Sequence, residues 1–177
     1  QTVIVTGTSA AEKIIGRLAD QLAQLGAQRV EIETEILTVV DAHPLTQVLT
    51  SMPGVGVRTA ARLLTEVVGK DFKDAGHLAS YAGIAPVTRR SGTSIRGESP
   101  SRRGNKVLKR ALFLSAFASL SASPASRAYY DRKRAEGKRH NQAVIALARR
   151  RTNVLYAMLR DGSFYQEPTP PTVALAA

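Results

Sequence analysis

The sequence predicts an all-α fold, a long coiled-coil-like N-terminal helix followed by a helical domain, and three observations predict it. Apolar residues return at alternating three- and four-residue steps over long stretches, the period of a helix and not the alternation of a strand. Helix stop and start signals separate those stretches: His43-Pro44, Asp74, Gly83, Ser123-Pro124 and Gly137. Residues 86–104 lack a helical period, and a short β-hairpin around Ser91-Gly92 is the strand-like feature expected there.

Residues 10–40 are expected to form the first helix. Ile15, Leu18, Leu22, Leu25, Ile32, Ile36 and Val39 make a heptad seam with Arg29 as its single polar interruption. Gly16 and Gly26 each weaken it by about 1 kcal/mol relative to Ala, so it relies on a partner surface. A coiled-coil or hairpin contact, giving a homo-oligomer through this helix, and packing on the chain's own domain are equally open. His43-Pro44 ends the helix, because a residue before proline is pushed out of the helical region. The expected division is 1–45 for the helix segment, 46–162 for the helical domain and 163–177 for a flexible tail.

Leu49 to Glu66 is the most informative stretch. Pro53-Gly54-Val55-Gly56 permits tight backbone angles that bring amide N–H groups close to an anion, and the helix expected from Val57 adds unpaired N–H groups and a positive dipole end. Arg58 and Arg62 lie one turn apart, within reach of the same strand. The arrangement resembles the helix-hairpin-helix motif of sequence-independent DNA binders, which makes Pro53, Gly54, Val55, Gly56, Arg58 and Arg62 candidate DNA-binding residues. The competing reading is an ordinary turn in which Met52, Val55, Leu63 and Leu64 only pack.

Downstream, a short helix is expected over 74–81, capped by Asp71 or Asp74, and then a loop over 86–104 that holds five arginines. Helices are expected over 105–121, with Val107, Leu108, Ala111, Leu112, Ser115 and Ala118 on one face, from 124 to about 135, and over 141–159. Ser123 is the expected N-cap of the second of these, with Pro124 in its first turn.

Charge is divided along the chain. The net charge of the 177 residues is +11; residues 1–81 carry seven Lys/Arg against nine Asp/Glu, whereas residues 82–160 carry eighteen against three. Such a block is the footprint of a nucleic-acid partner, favoured over a merely solvated face or an acidic protein partner. The absence of cysteine excludes disulfides and thiolate metal sites, and His43, His77 and His140 are too scattered for a metal cluster. No apolar run approaches the roughly 18 residues that span a bilayer and no signal peptide begins the chain, so no membrane role and a cytoplasmic location are expected. The initial Gln1 suggests a segment of something longer.

Five blocks in order carry a more specific signal: MPGVGVRTAARLL, FKDAGHLASYAGIAP, RRSG, SRRGNKVLKRAL and ASRAYYDRKRAEGKRHNQAVIALARR. Together they resemble the C-terminal domain of the DEDD-type insertion-sequence transposases, the IS-one-ten family, over residues 49–161. The resemblance implies a DNA recombinase that excises and inserts a mobile element, with DNA and a guide (bridge) RNA as partners. It also implies a divided active site: four acidic metal ligands, holding Mg, in an N-terminal RuvC-like domain, and a nucleophilic serine in this one. Glu31, Glu33 and Glu35 lie on a helix and no strand-rich acidic segment appears, so neither metal ligands nor a cofactor are expected here, and the segment alone is expected to be inactive. The serine carried over is Ser91, a weak nucleophile until a base or metal activates it. Arg89, Arg90 and Arg96 are placed to stabilise charge on the phosphate, and Arg102, Arg103, Asn105, Lys106, Lys109 and Arg110 form a basic helix start suited to phosphates. Ser94, Ser99 and Ser101 compete with Ser91, and Thr93 does so more weakly. Tyr129 and Tyr130 lack the Arg/His surroundings of a tyrosine recombinase, which leaves packing or base stacking; the run Arg149 to Arg151 is either a phosphate contact or a solvated face. Two other readings stay open: a non-catalytic helix-hairpin-helix module for DNA or RNA, and a helical oligomerisation segment.

Overall fold

Six leucines, Leu49, Leu63, Leu78, Leu108, Leu147 and Leu155, are almost wholly removed from solvent, each worth about 2 kcal/mol, and the helices carrying them build the core. The computed structural model describes residues 8–91, 95–101 and 103–167, with the backbone alone for 8–9, 88–91 and 95–100. In order these form α1 (Thr8–Asp41), α2 (Leu45–Thr50), α3 (Val57–Val67), α4 (Ala75–Tyr81), β1 (Pro86–Ser91), β2 (Ile95–Pro100), α5 (Lys106–Ala122), α6 (Pro124–Ala135) and α7 (His140–Asp161). The all-α expectation holds. The expected hairpin is present as the antiparallel pair β1–β2, running from Pro86↔Pro100 to Ser91↔Ile95. Arg102, residues 92–94 and most of the expected tail, from 168 on, lie outside the described residues.

The chain divides into two compact units, Gln1–Val39 and Val40–Ala177. In the first, α1 runs unbroken through Gly16 and Gly26, and all seven apolar residues of its seam are exposed. Arg29, the polar interruption, donates to Glu33 at 2.8 Å one turn on. Among the described residues, no helix is long and apolar enough to cross a membrane.

In the second unit α7 packs against α2, α4, α5 and α6, while α3 packs on α2 and α5. Two clusters result. The larger gathers Leu49, Met52, Leu63, Leu78, Leu108 and Leu155; the smaller is Ala116, Val144, Leu147 and Ala148. The Asp74 and Ser123 side chains cap α4 and α6 by accepting from His77 N at 2.7 Å and Ser126 N at 3.2 Å. The short helix α2, starting directly after Pro44, is an element the sequence reading did not separate from the hairpin.

The buried face of α5 differs from the expected one. Ser119 and Ala116 are buried with Leu108, Ala111, Leu112 and Ser115, whereas Val107 and Ala118 face solvent. The reason is Gly54, whose φ is +80°. A Cβ there would lie 2.6 Å from Ser119 N and closer still to Ser115 O, so the turn rests directly on the α5 backbone and small residues must receive it. A second backbone-to-backbone contact closes the hairpin's base, where a Cβ on Gly104 would meet Gly83 N at 2.6 Å and Tyr81 O at 2.8 Å.

Gly54→Ala should therefore cost about 2–4 kcal/mol, combining a left-handed backbone with a clash against a helix that cannot retreat. Gly137→Ala, also left-handed but with nothing within 4 Å, should cost only about 1–2 kcal/mol. Urea midpoints of the two variants give the comparison, and equal losses would mean that Gly54 does not seat the turn.

Candidate nucleic-acid interface

The glycine turn is built from inside. Val55 donates its N–H to Met52 O at 3.0 Å, its side chain is 6% exposed, and Gly54 is pressed on α5. Buried Arg151 donates from Nη2 to Pro53 O at 2.5 Å and to Ser115 Oγ at 2.9 Å. Of the motif residues expected at DNA, Gly54 and Val55 are thus taken up by the interior, because their N–H or their missing side chain is already used there. Gly56, Arg58 and Arg62 remain on the outside, with open space beside Gly56. Gly56 is the N-cap of α3 and its carbonyl accepts from Thr59 N and Ala60 N, both at 2.9 Å.

Asn105 also has a different task from the expected phosphate contact. Its Oδ1 accepts from Leu108 N at 2.9 Å, capping α5, while Nδ2 donates to Glu66 Oε2 at 2.5 Å and Tyr81 Oη at 3.1 Å. Every polar atom of the side chain is occupied within the chain. Lys70 Nζ donates to Tyr81 Oη at 2.9 Å, which with the Asn105 bond holds the phenol below its ordinary pKa. The same bond, with Glu66 nearby, raises the Lys70 ammonium. Lys109 is tied down too, donating to Ser101 O at 3.0 Å. Arg103, Lys106 and Arg110 stay exposed around the start of α5.

Between these pins runs the β1–β2 ribbon. Ser91 is the last paired residue of β1, opposite Ile95, and the preceding pairs are Arg90↔Arg96 and Arg89↔Gly97. The side chains of Ser91, Arg89, Arg90, Arg96 and Ser99 lie outside the described part, as do Thr93 and Ser94 entirely. Ser101 is described: its hydroxyl accepts from Arg103 N at 3.2 Å and donates to Arg103 O at 3.3 Å, closing a local turn. No group of three or more His, Cys, Asp or Glu residues able to hold a metal ion occurs among the described residues.

Arg151 is the residue that sequence reasoning misplaced within the Arg149–Arg151 run. Arg150 is exposed and Arg149 half-buried, but Arg151 is 6% exposed, and burial pushes its guanidinium down to about 10. A signal was available: Val144, Ala148, Arg151 and Leu155 follow core spacing along α7. Tyr129, half-buried on the smaller cluster, was read as packing or stacking; its ring holds Arg150 at 4.9 Å, Arg132 at 5.0 Å and Lys133 at 5.6 Å.

Fold and site define an all-α domain with an arginine- and lysine-rich surface and a pinned β-ribbon. The model of the IS116/IS110/IS902 family of transposases matches residues 46–131. The chain is 57% identical over 178 residues to the 43.6 kDa protein of insertion element IS110 from Streptomyces coelicolor, covering 100% of this chain and 44% of that protein. It is 43% identical over 176 residues to the 42 kDa protein of insertion element IS900 from Mycobacterium paratuberculosis, 98% of this chain and 44% of the relative. The pilin gene-inverting protein of Moraxella bovis is 38% identical over 116 residues, 64% of this chain and 36% of its own length. The chain therefore spans less than half the length of these relatives.

Replacing Arg151 by Met keeps the volume but strands the Pro53 carbonyl and the Ser115 hydroxyl, and should cost about 2–3 kcal/mol. A double-mutant cycle of Arg151→Met with Ser115→Ala should show coupling of at least about 0.5 kcal/mol, and additive losses would remove the shared bond from the account.

Proposed function

We propose that the chain is the nucleophile-bearing C-terminal part of a transposase that excises and inserts a mobile element under the direction of a guide RNA. In this reading α2, the glycine turn and α3 act as a helix-hairpin-helix that grips a DNA backbone through Gly56, Arg58 and Arg62, while Ser91 attacks a phosphodiester. The observation that carries it is the register of the ribbon. It sets Ser91 at the end of a paired strand, beside three arginines, on a hairpin whose base is fixed to α4 and α5. The family match and the gene inversion named in a relative support this reading.

The step balances simply. Ser91 Oγ bonds to phosphorus as a bond to a deoxyribose oxygen breaks; the serine proton goes to a base and the released oxygen takes one up. The resulting phosphoserine keeps the bond energy, so attack by a new strand end rejoins the DNA. Arg89, Arg90 and Arg96 offset charge on the phosphate, and the activating base and metal belong to a RuvC-like portion. Sequence choice falls to pairing with the guide RNA, since this surface offers mainly backbone contacts.

Ser91→Ala in the longer transposase should lower recombination by about a thousandfold or more. DNA binding and its steep loss with salt should stay unchanged. Recombination that survives the change would leave only the binding role.

The bare seam of α1 favours a second role for that segment, self-association into a homo-oligomer. Sedimentation of the chain at increasing concentration should show a dimer or larger species that Leu22→Glu and Ile32→Glu together convert to monomer; a monomer throughout sinks it.

A further inference from the structure

The two core clusters do not merge, and a cleft of about 290 Å³ lies at the seam between them. Its apolar floor is Met52, Leu147 and Val154, and its two rings are Tyr129 from α6 and Tyr165 from the stretch after α7. Hydrogen bonds hold the far wall: Tyr165 N donates to Ser51 Oγ at 2.9 Å, and Glu167 Oε1 accepts from Ser123 Oγ at 2.8 Å. Behind it Arg151 clamps Pro53, so the cleft adjoins the glycine turn.

The charge around the Tyr129 ring is uneven. Arg132 and Lys133 share Glu136, at 3.9 and 2.7 Å, whereas no carboxylate among the described residues pairs with Arg150, whose guanidinium lies over the Tyr129 ring. An apolar floor, two tyrosines and an unneutralised guanidinium together suit a flat aromatic ring carrying an anion. The volume is near the lower end of the roughly 300–1,000 Å³ typical of small-ligand sites, enough for one mononucleotide.

We propose that this cleft binds a single unpaired nucleotide, its base against Tyr165 and the apolar floor and its phosphate on Arg150. A paired base cannot reach it, because the base must leave its stack to meet a tyrosine face. The site thus reads a splayed nucleotide next to the backbone gripped by the turn, a feature of strand-exchange intermediates and of guide-RNA loops alike. This inference rests on the reading of the chain as a nucleic-acid-handling segment.

Titration of the chain with AMP and dAMP, followed by NMR or calorimetry, tests it, with ribose 5-phosphate and inorganic phosphate as controls. Saturable binding is expected, at least about tenfold tighter than ribose 5-phosphate, and at least about tenfold weaker in both Arg150→Gln and the cleft-filling Val154→Trp. A preference for AMP or for dAMP would assign the cleft to a ribo- or deoxyribo-strand, and equal affinity would assign it to either. Binding no better than ribose 5-phosphate, or untouched by both variants, overturns the proposal. Duplex DNA binding at low salt separates this failure from failure of the broader reading. Val154→Trp should leave it intact, and its absence in the unaltered chain would sink the nucleic-acid role itself.

Discussion

The seat of Gly54 on the backbone of α5, locked from behind by Arg151, is the constraint on which the second unit depends. A turn that touches a helix backbone needs small residues on both sides, and Ser115 and Ser119 supply them. The contact then buries the Pro53 carbonyl, which must find a donor. Arg151 meets that need by donating to the carbonyl and to the Ser115 hydroxyl from one Nη2, and it keeps its charge at neutral pH.

The same economy of backbone contact governs the arginine-rich excursion. The chain leaves α4 at Gly83 and returns at Gly104, and there the two backbones touch; Asn105 N donates to Tyr81 O at 2.8 Å at the same place. Asn105, Glu66, Lys70 and Tyr81 then tie α3, α4 and α5 together below it. A twenty-residue excursion closed at its base tolerates arginine-rich, sparsely apolar sequence, since the core does not depend on its length. That is the setting in which a reactive side chain costs the fold little.

Much of this was legible because it is local. Helix periods, the Asp74 and Ser123 caps and the hairpin at 86–100 follow from spacing and from residues that favour caps and turns. What escaped is long-range. Nothing in the sequence near Gly54 says that Ser119 will meet it, so the α5 face was placed to include Val107 and Ala118, which the structure leaves in water. Asn105 and Arg151 were read as surface polar groups because residue type suggests exposure, while their partners, Glu66 and Pro53, lie 39 and 98 residues away. A polar residue at core spacing, as Arg151 is, was the one available warning.

Where a nucleic-acid backbone would settle follows from which cations are already neutralised. On α6, Asp131 pairs with Arg127 at 3.0 Å and Glu136 with Arg132 and Lys133, so that helix presents much of its charge in compensated form. Such exposed pairs add little to stability, but they do reduce the local field. The start of α5 is the opposite case. Its first turn holds no acidic residue, and Lys106, Lys109 and Arg110 stand at the positive end of the helix dipole, an arrangement that works against the free protein. Lys109 is drawn off by Ser101 O, which leaves Lys106 and Arg110 beside Arg103. A phosphate at that helix end would relieve both the dipole and the cations at once, and it would lie at the foot of the ribbon that carries Ser91. On the proposed reading, the described charges thus favour the start of α5 as the phosphate-binding end, whereas α6 frames the Tyr129 cleft.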